Sequence, residues 1–94
     1  MRTILQTRIF KADTKRLHPN QKKDLDEAVV AIDSDPTIGE EKVGDLAGVR
    51  VYKFRMVGQK TLLAYEWKAI EDLLVLLTLG DHENFYRDLK RERN

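Results

Sequence analysis

The chain has no cysteine, so disulfides and thiolate metal sites are excluded, and a reducing compartment suits it. It has only 2 prolines and 5 glycines, too few for a collagenous, linker-like or low-complexity segment. No apolar run approaches the length needed to cross a bilayer, and "MRTILQTRIF" lacks the apolar region of a secretion signal. These absences predict a cytoplasmic domain with no membrane association. Neither charge dominates, since 17 basic residues face 16 acidic ones.

What is present is enough for one folded domain. Of the 94 residues, 41% are hydrophobic, which fills a core but leaves no room for a second one. The near-zero net charge conceals polarity along the chain. Asp24, Asp26, Glu27, Asp33, Asp35, Glu40, Glu41 and Asp45 surround a single base, Lys42. Arg50, Lys53, Arg55 and Lys60 follow with no acid between them. A focused basic patch of this kind attracts phosphate even on a near-neutral protein.

The periodicities predict the order of elements. "TILQTRIF" (Thr3 to Phe10) reads as a first strand, and "KADTKRL" as a short helix ending before His18-Pro19. Asn20 is the expected N-cap of a second helix, on which Leu25, Ala28, Val29 and Ile32 form one apolar stripe. The polar stretch from Asp33 to Gly48 reads as a loop. "VRVYKFRM" alternates, with Tyr52, Phe54 and Met56 on one side and Val51, Lys53 and Arg55 on the other. Gly58 marks a hairpin into "TLLAYEW". "LLVLLTL" is apolar on both faces, as a central strand would be, and Asp81 is the expected cap of a helix from His82 to Arg91. The expected fold class is α+β, a small antiparallel sheet with an N-terminal helical hairpin and a short C-terminal helix.

Two candidate functional groups emerge, each with a plain structural alternative. Lys53 and Arg55 on one strand face suit a phosphodiester backbone, because arginine binds phosphate through two parallel bonds and lysine acts as a point charge. The same pattern describes a solvated sheet face. His82 and Tyr86 lie four apart and share a helix face, yet Phe85 and Leu89 beside them form an ordinary packing stripe. His18 reads as a turn residue and Glu66 as a solvent-facing glutamate. No metal is expected, because nothing has metal-ligand spacing with His82.

In their order, "GDLAGVRVYKFRMVGQKTLLAYEW" and "LLVLLTLGDHENFYRDLKR" resemble the RelE/ParE superfamily of type II toxin–antitoxin toxins. The resemblance covers about Lys42 to Arg91. It implies a RelE-like fold, no cofactor, and a cognate antitoxin that binds the toxin in a hetero-oligomer. RelE-like members are metal-independent endoribonucleases that cut messenger RNA on the ribosome, whereas ParE-like members poison DNA gyrase. For the RelE-like branch, the resemblance implies catalytic roles for Lys53, Arg55, His82 and Tyr86, and RNA contacts from Arg50, Lys60 and Arg87. A degenerate member that only binds its antitoxin is the third possibility. Two departures are visible: the chain is near neutral where RelE-type toxins are basic, and Lys60 stands where arginine is usual.

Overall fold

The computed structural model describes residues 2–81, 85–87 and 89. Five strands and two helices occur in the order β1 (Thr3–Gln6), α1 (Arg8–Lys15), α2 (Pro19–Ser34), β2 (Glu40–Glu41), β3 (Val49–Met56), β4 (Gln59–Lys68) and β5 (Leu73–Gly80). Phe85, Tyr86, Arg87 and Leu89 are helical and form a C-terminal helical segment. The α+β class therefore holds. The expected helix from His82 to Arg91 can be followed only there, because His82 itself lies outside the described residues.

The sheet order is β1-β5-β4-β3-β2. All pairs are antiparallel except β1 with β5, which makes the sheet mixed. The "LLVLLTL" strand is interior as its two apolar faces require, but β4 occupies the middle position. β1 lies on the other side of β5, where it satisfies that strand's second edge.

Two boundaries differ from the sequence expectation, each for a local reason. The first strand stops at Gln6 because Thr7 caps α1: its hydroxyl oxygen accepts the Phe10 N–H at 3.1 Å and donates to the Leu77 carbonyl at 2.6 Å. One threonine thereby starts the helix and ties it to β5. The second helix is capped by His18, not Asn20. Pro19 holds His18 extended (ψ 159°) and fits the first helical turn, while the Gln21 side chain accepts the His18 N–H at 2.8 Å.

The sheet is covered on both faces. On the helical face Phe10, Leu25 and Ile32 pack against Leu63, Tyr65, Leu74 and Leu76, with Tyr52, Phe54 and Met56 at the margin. On the opposite face Phe85 and Leu89 of the C-terminal segment pack on Val49, Val51, Leu62, Ala64 and Leu77. Alternation lets β5 contribute to both cores, and a bulge between Ala64 and Tyr65 shifts the β4–β5 register so that Leu77 and Leu79, two residues apart, fall in different ones. Beyond Val51 the second face runs out from under the C-terminal segment, and there the basic residues begin.

Candidate phosphate-binding site on the open sheet face

The alternation of β3 sends Lys53 and Arg55 to the same face as Val49 and Val51. Both are exposed. In the β3–β4 ladder Lys53 lies opposite Leu62, and Arg55 lies opposite Lys60. Directly opposed residues point to one side of a sheet, so Lys60 joins the row. Two cations facing each other repel, and an anion between them would relieve that repulsion. Arg55 is steadied by donating Nη1 to the Gly58 carbonyl at 3.2 Å.

The turn that aligns these cations is strained. Val57 and Gly58 both have positive φ, 51° and 80°, as a two-residue hairpin turn needs. Valine is a poor residue for that region because its branched Cβ crowds the backbone. Asp24 of α2 holds it in place, Oδ2 accepting the Val57 N–H at 2.7 Å. The cationic hairpin is thus docked on the helical hairpin.

At the other end of the face stands Tyr86. Its ring meets Phe85 edge-on at 5.1 Å and packs, half-buried, at the border of the second core. The Lys42 ammonium lies over the Tyr86 ring, 5.6 Å from its centroid. Lys42 also donates to Glu40 Oε1 at 2.8 Å. These contacts, the Glu40 bond foremost, raise the Lys42 pKa and keep it cationic. Glu40 is held below its ordinary range, first by that bond and the charge of Lys42, with a smaller contribution from Lys53. Since β2 pairs Glu40 with Val51, these groups sit beside the cationic row.

Sequence reasoning named Tyr86 and missed Lys42 and Glu40. The available signal was Lys42's position as the lone base among eight acids. Arg50, an expected RNA contact, is not brought to this surface. It points to the helical face, where Nη1 donates to the Thr37 and Gly39 carbonyls at 3.2 and 2.9 Å and Nη2 lies 3.9 Å from Glu41. Arg50 therefore secures the loop before β2 and is removed from the row of Lys53, Arg55 and Lys60. Arg87 is exposed on the C-terminal segment. Glu66, half-buried, pairs with Val49 and shares the face of Lys53. Among the described residues no cluster of His, Cys, Asp or Glu could hold a metal ion, and no helix is long and apolar enough to cross a membrane.

A family model for the ParE-like toxins of type II bacterial toxin–antitoxin systems matches residues 4–90. The chain belongs to that family. Solved structures agree at the level of the fold, which they share at low identity. The toxin chain is similar to one in the intact E. coli RelBE toxin–antitoxin complex, with TM-score 0.71 and 16% identity over 88% of this chain and 99% of that one. A mutant E. coli RelE toxin in the free state gives TM-score 0.73 and 15% identity over 96% of both chains. The RelBE2 toxin–antitoxin complex of Mycobacterium tuberculosis gives 0.62 and 21%, over 86% of this chain and 98% of that one. No curated protein sequence matches the chain. The protein is thus a toxin of the RelE/ParE superfamily with the α+β RelE fold.

Proposed function

We propose that this toxin is a metal-independent, ribosome-dependent mRNA endonuclease that stops translation in the cytoplasm until a cognate antitoxin binds it. The observation that carries this reading is the shared face: three cations, Lys53, Arg55 and Lys60, lie in one open row that leads toward the Tyr86 ring and the lysine above it. Phosphodiester cleavage by the neighbouring ribose needs these parts. A base removes the 2′-hydroxyl proton, the 2′-oxygen attacks phosphorus, and the 5′-oxygen leaves with a proton from an acid. The products are a 2′,3′-cyclic phosphate and a 5′-hydroxyl, so no water, metal or redox partner enters the balance. Fixed cations stabilise the extra charge on the phosphoryl oxygens as it develops. Lys53, Arg55 and Lys60 supply that charge, with Lys60 giving one point charge in place of a two-bonded fork. Tyr86 and His82 supply proton transfer, and His82 enters on the resemblance alone.

The experiment is cleavage of mRNA on translating ribosomes, together with growth arrest, by folded Lys53→Ala, Arg55→Ala, Tyr86→Phe and His82→Ala. Loss of either proton-transfer group should cut cleavage on the order of 10²–10⁴-fold. Full cleavage by folded His82→Ala removes that residue from the mechanism.

A second reading has its own support. The matching family model is ParE-like, and the near-neutral charge lacks the basic excess that favours ribosomal RNA. On that reading the toxin binds and poisons gyrase without catalysis. Growth arrest in all four variants, with supercoiling impaired and mRNA intact, selects it.

The antitoxin is proposed to supply an acidic helix or extended segment over Lys53 and Arg55, blocking the row and neutralising it together. A complex that abolishes toxicity and leaves both cations open would overturn this.

A further inference from the structure

We propose that Asp24 of α2 is a positioning residue for Arg55: it fixes the hairpin turn whose carbonyl holds the guanidinium in the cationic row. The inference rests on the nuclease reading above and extends it to an acid on the helical side of the sheet, to which the family resemblance assigns no role.

Two hydrogen bonds in series carry it. Asp24 Oδ2 accepts the Val57 N–H at 2.7 Å, and the carbonyl of the next residue, Gly58, accepts Arg55 Nη1 at 3.2 Å. The last rung of the β3–β4 ladder joins Met56 to Gln59, so Val57 stands beyond it. Val57 is also the residue that resists the turn, with a branched side chain at φ 51°. That side chain is 47% exposed, so core packing does not hold it there. Between α2 and the hairpin, Asp24, Tyr52, Phe54 and Arg55 line an open cleft of about 160 Å³, and packing therefore leaves a gap that the bond bridges. Among the described residues, no other hydrogen bond or ion pair joins α2 to residues 56–60. Without that bond, valine's preference for negative φ pulls the turn open, and the Gly58 carbonyl no longer holds Arg55 opposite Lys60. An exposed arginine released in this way samples many rotamers. Misplacement of a phosphate-binding group by even 1 Å can cost on the order of 10²-fold in rate.

A carboxylate that only ties a helix to a hairpin for stability is the alternative, and the test separates the two. Asp24→Ala removes the acceptor, whereas Asp24→Asn keeps an amide oxygen within the same reach. Every variant is assayed below its own unfolding transition. Cleavage on translating ribosomes should fall on the order of 10- to 10²-fold in Asp24→Ala. Asp24→Asn should retain most activity. Two backgrounds locate the effect. In Arg55→Ala the further loss from Asp24→Ala should vanish, because no guanidinium is left to position. In Val57→Asn it should shrink, because asparagine followed by glycine adopts this turn unaided. Equal losses in the wild-type and Arg55→Ala backgrounds, or an undiminished loss in Val57→Asn, would overturn the proposal while leaving the nuclease reading intact. So would wild-type cleavage by Asp24→Ala, or equal damage from both Asp24 substitutions. The Asp24–Arg55 cycle is also read on binding of a 2′-O-methyl RNA strand, which carries the phosphates and cannot be cut, and the same non-additivity is expected there. If the wild-type toxin cuts no mRNA, the nuclease reading fails instead and the binding cycle decides alone. Non-additivity then upholds the Asp24–Arg55 link, and additivity, or no binding by the wild type, ends it.

Discussion

Removing one hydroxyl, in Tyr65→Phe, should loosen the loop that carries Glu40 and Lys42. Tyr65 is fully buried, donates to the Pro36 carbonyl at 2.7 Å and accepts the Gly39 N–H at 2.9 Å. Phenylalanine keeps the ring in the core and leaves two buried backbone groups without their partner. An unsatisfied buried group costs roughly 1–3 kcal/mol, and part of this is recovered because the hydroxyl itself need no longer be desolvated. The net loss should be about 2 kcal/mol, a large share of the ~5–15 kcal/mol that holds such a domain. At roughly 4–8 °C per kcal/mol for this size, the melting midpoint should drop by roughly 8–16 °C. Thermal and urea unfolding followed by circular dichroism measures it. Gly39→Ala tests the same contact from the other side, since a Cβ there would stand 2.7 Å from the Tyr65 oxygen and 2.8 Å from Cε1. That overpacking should cost about 1–3 kcal/mol. The double variant should be less destabilised than the sum, but still destabilised, because the ring carbons at 2.8 and 3.1 Å remain. A fall of less than about 0.5 kcal/mol in Tyr65→Phe would refute the reasoning, as surface-like behaviour at a buried bond.

Val57→Asn should stabilise the protein by about 1 kcal/mol, since asparagine tolerates the φ of 51° that valine resists; destabilisation in urea would show that the valine side chain packs usefully. Asp35 is held below its ordinary 3.8 by the Thr37 hydroxyl at 2.7 Å and then by the Thr37 N–H at 3.1 Å. A depressed carboxyl pKa gives stability above the unfolded value that is lost as pH falls through the folded one, so urea midpoints should fall below about pH 4, less steeply in Asp35→Asn. An unchanged slope would dismiss that contribution. Amides of Leu74 to Leu77, interior between β1 and β4, should exchange with deuterium among the slowest in the chain; rapid exchange there would contradict the strand order.

Local pattern determined much of this molecule. The alternation in "VRVYKFRM" alone put Lys53 and Arg55 on one side of a strand and the aromatic residues on the other, because a strand's period of two leaves no choice. Gly58 placed the hairpin, and the stripe Leu25–Ala28–Val29–Ile32 placed the buried face of α2. Such features depend on neighbours in the chain. The tertiary structure decided what depends on partners far along it. Thr7 ended the first strand early because its hydroxyl could reach both Phe10 and Leu77, a bond invisible until β5 lies alongside. The second edge of β5 needed backbone partners, and β1 supplied them in parallel, which made the sheet mixed. The same period of two puts Arg50 on the face of Tyr52 and not that of Lys53, and the tertiary structure supplied the loop carbonyls that took its guanidinium there. Lys42 had no credentials beyond its acidic surroundings. It became part of the candidate site only because β2 pairs with β3 near the C-terminal segment, which brings its ammonium over the Tyr86 ring.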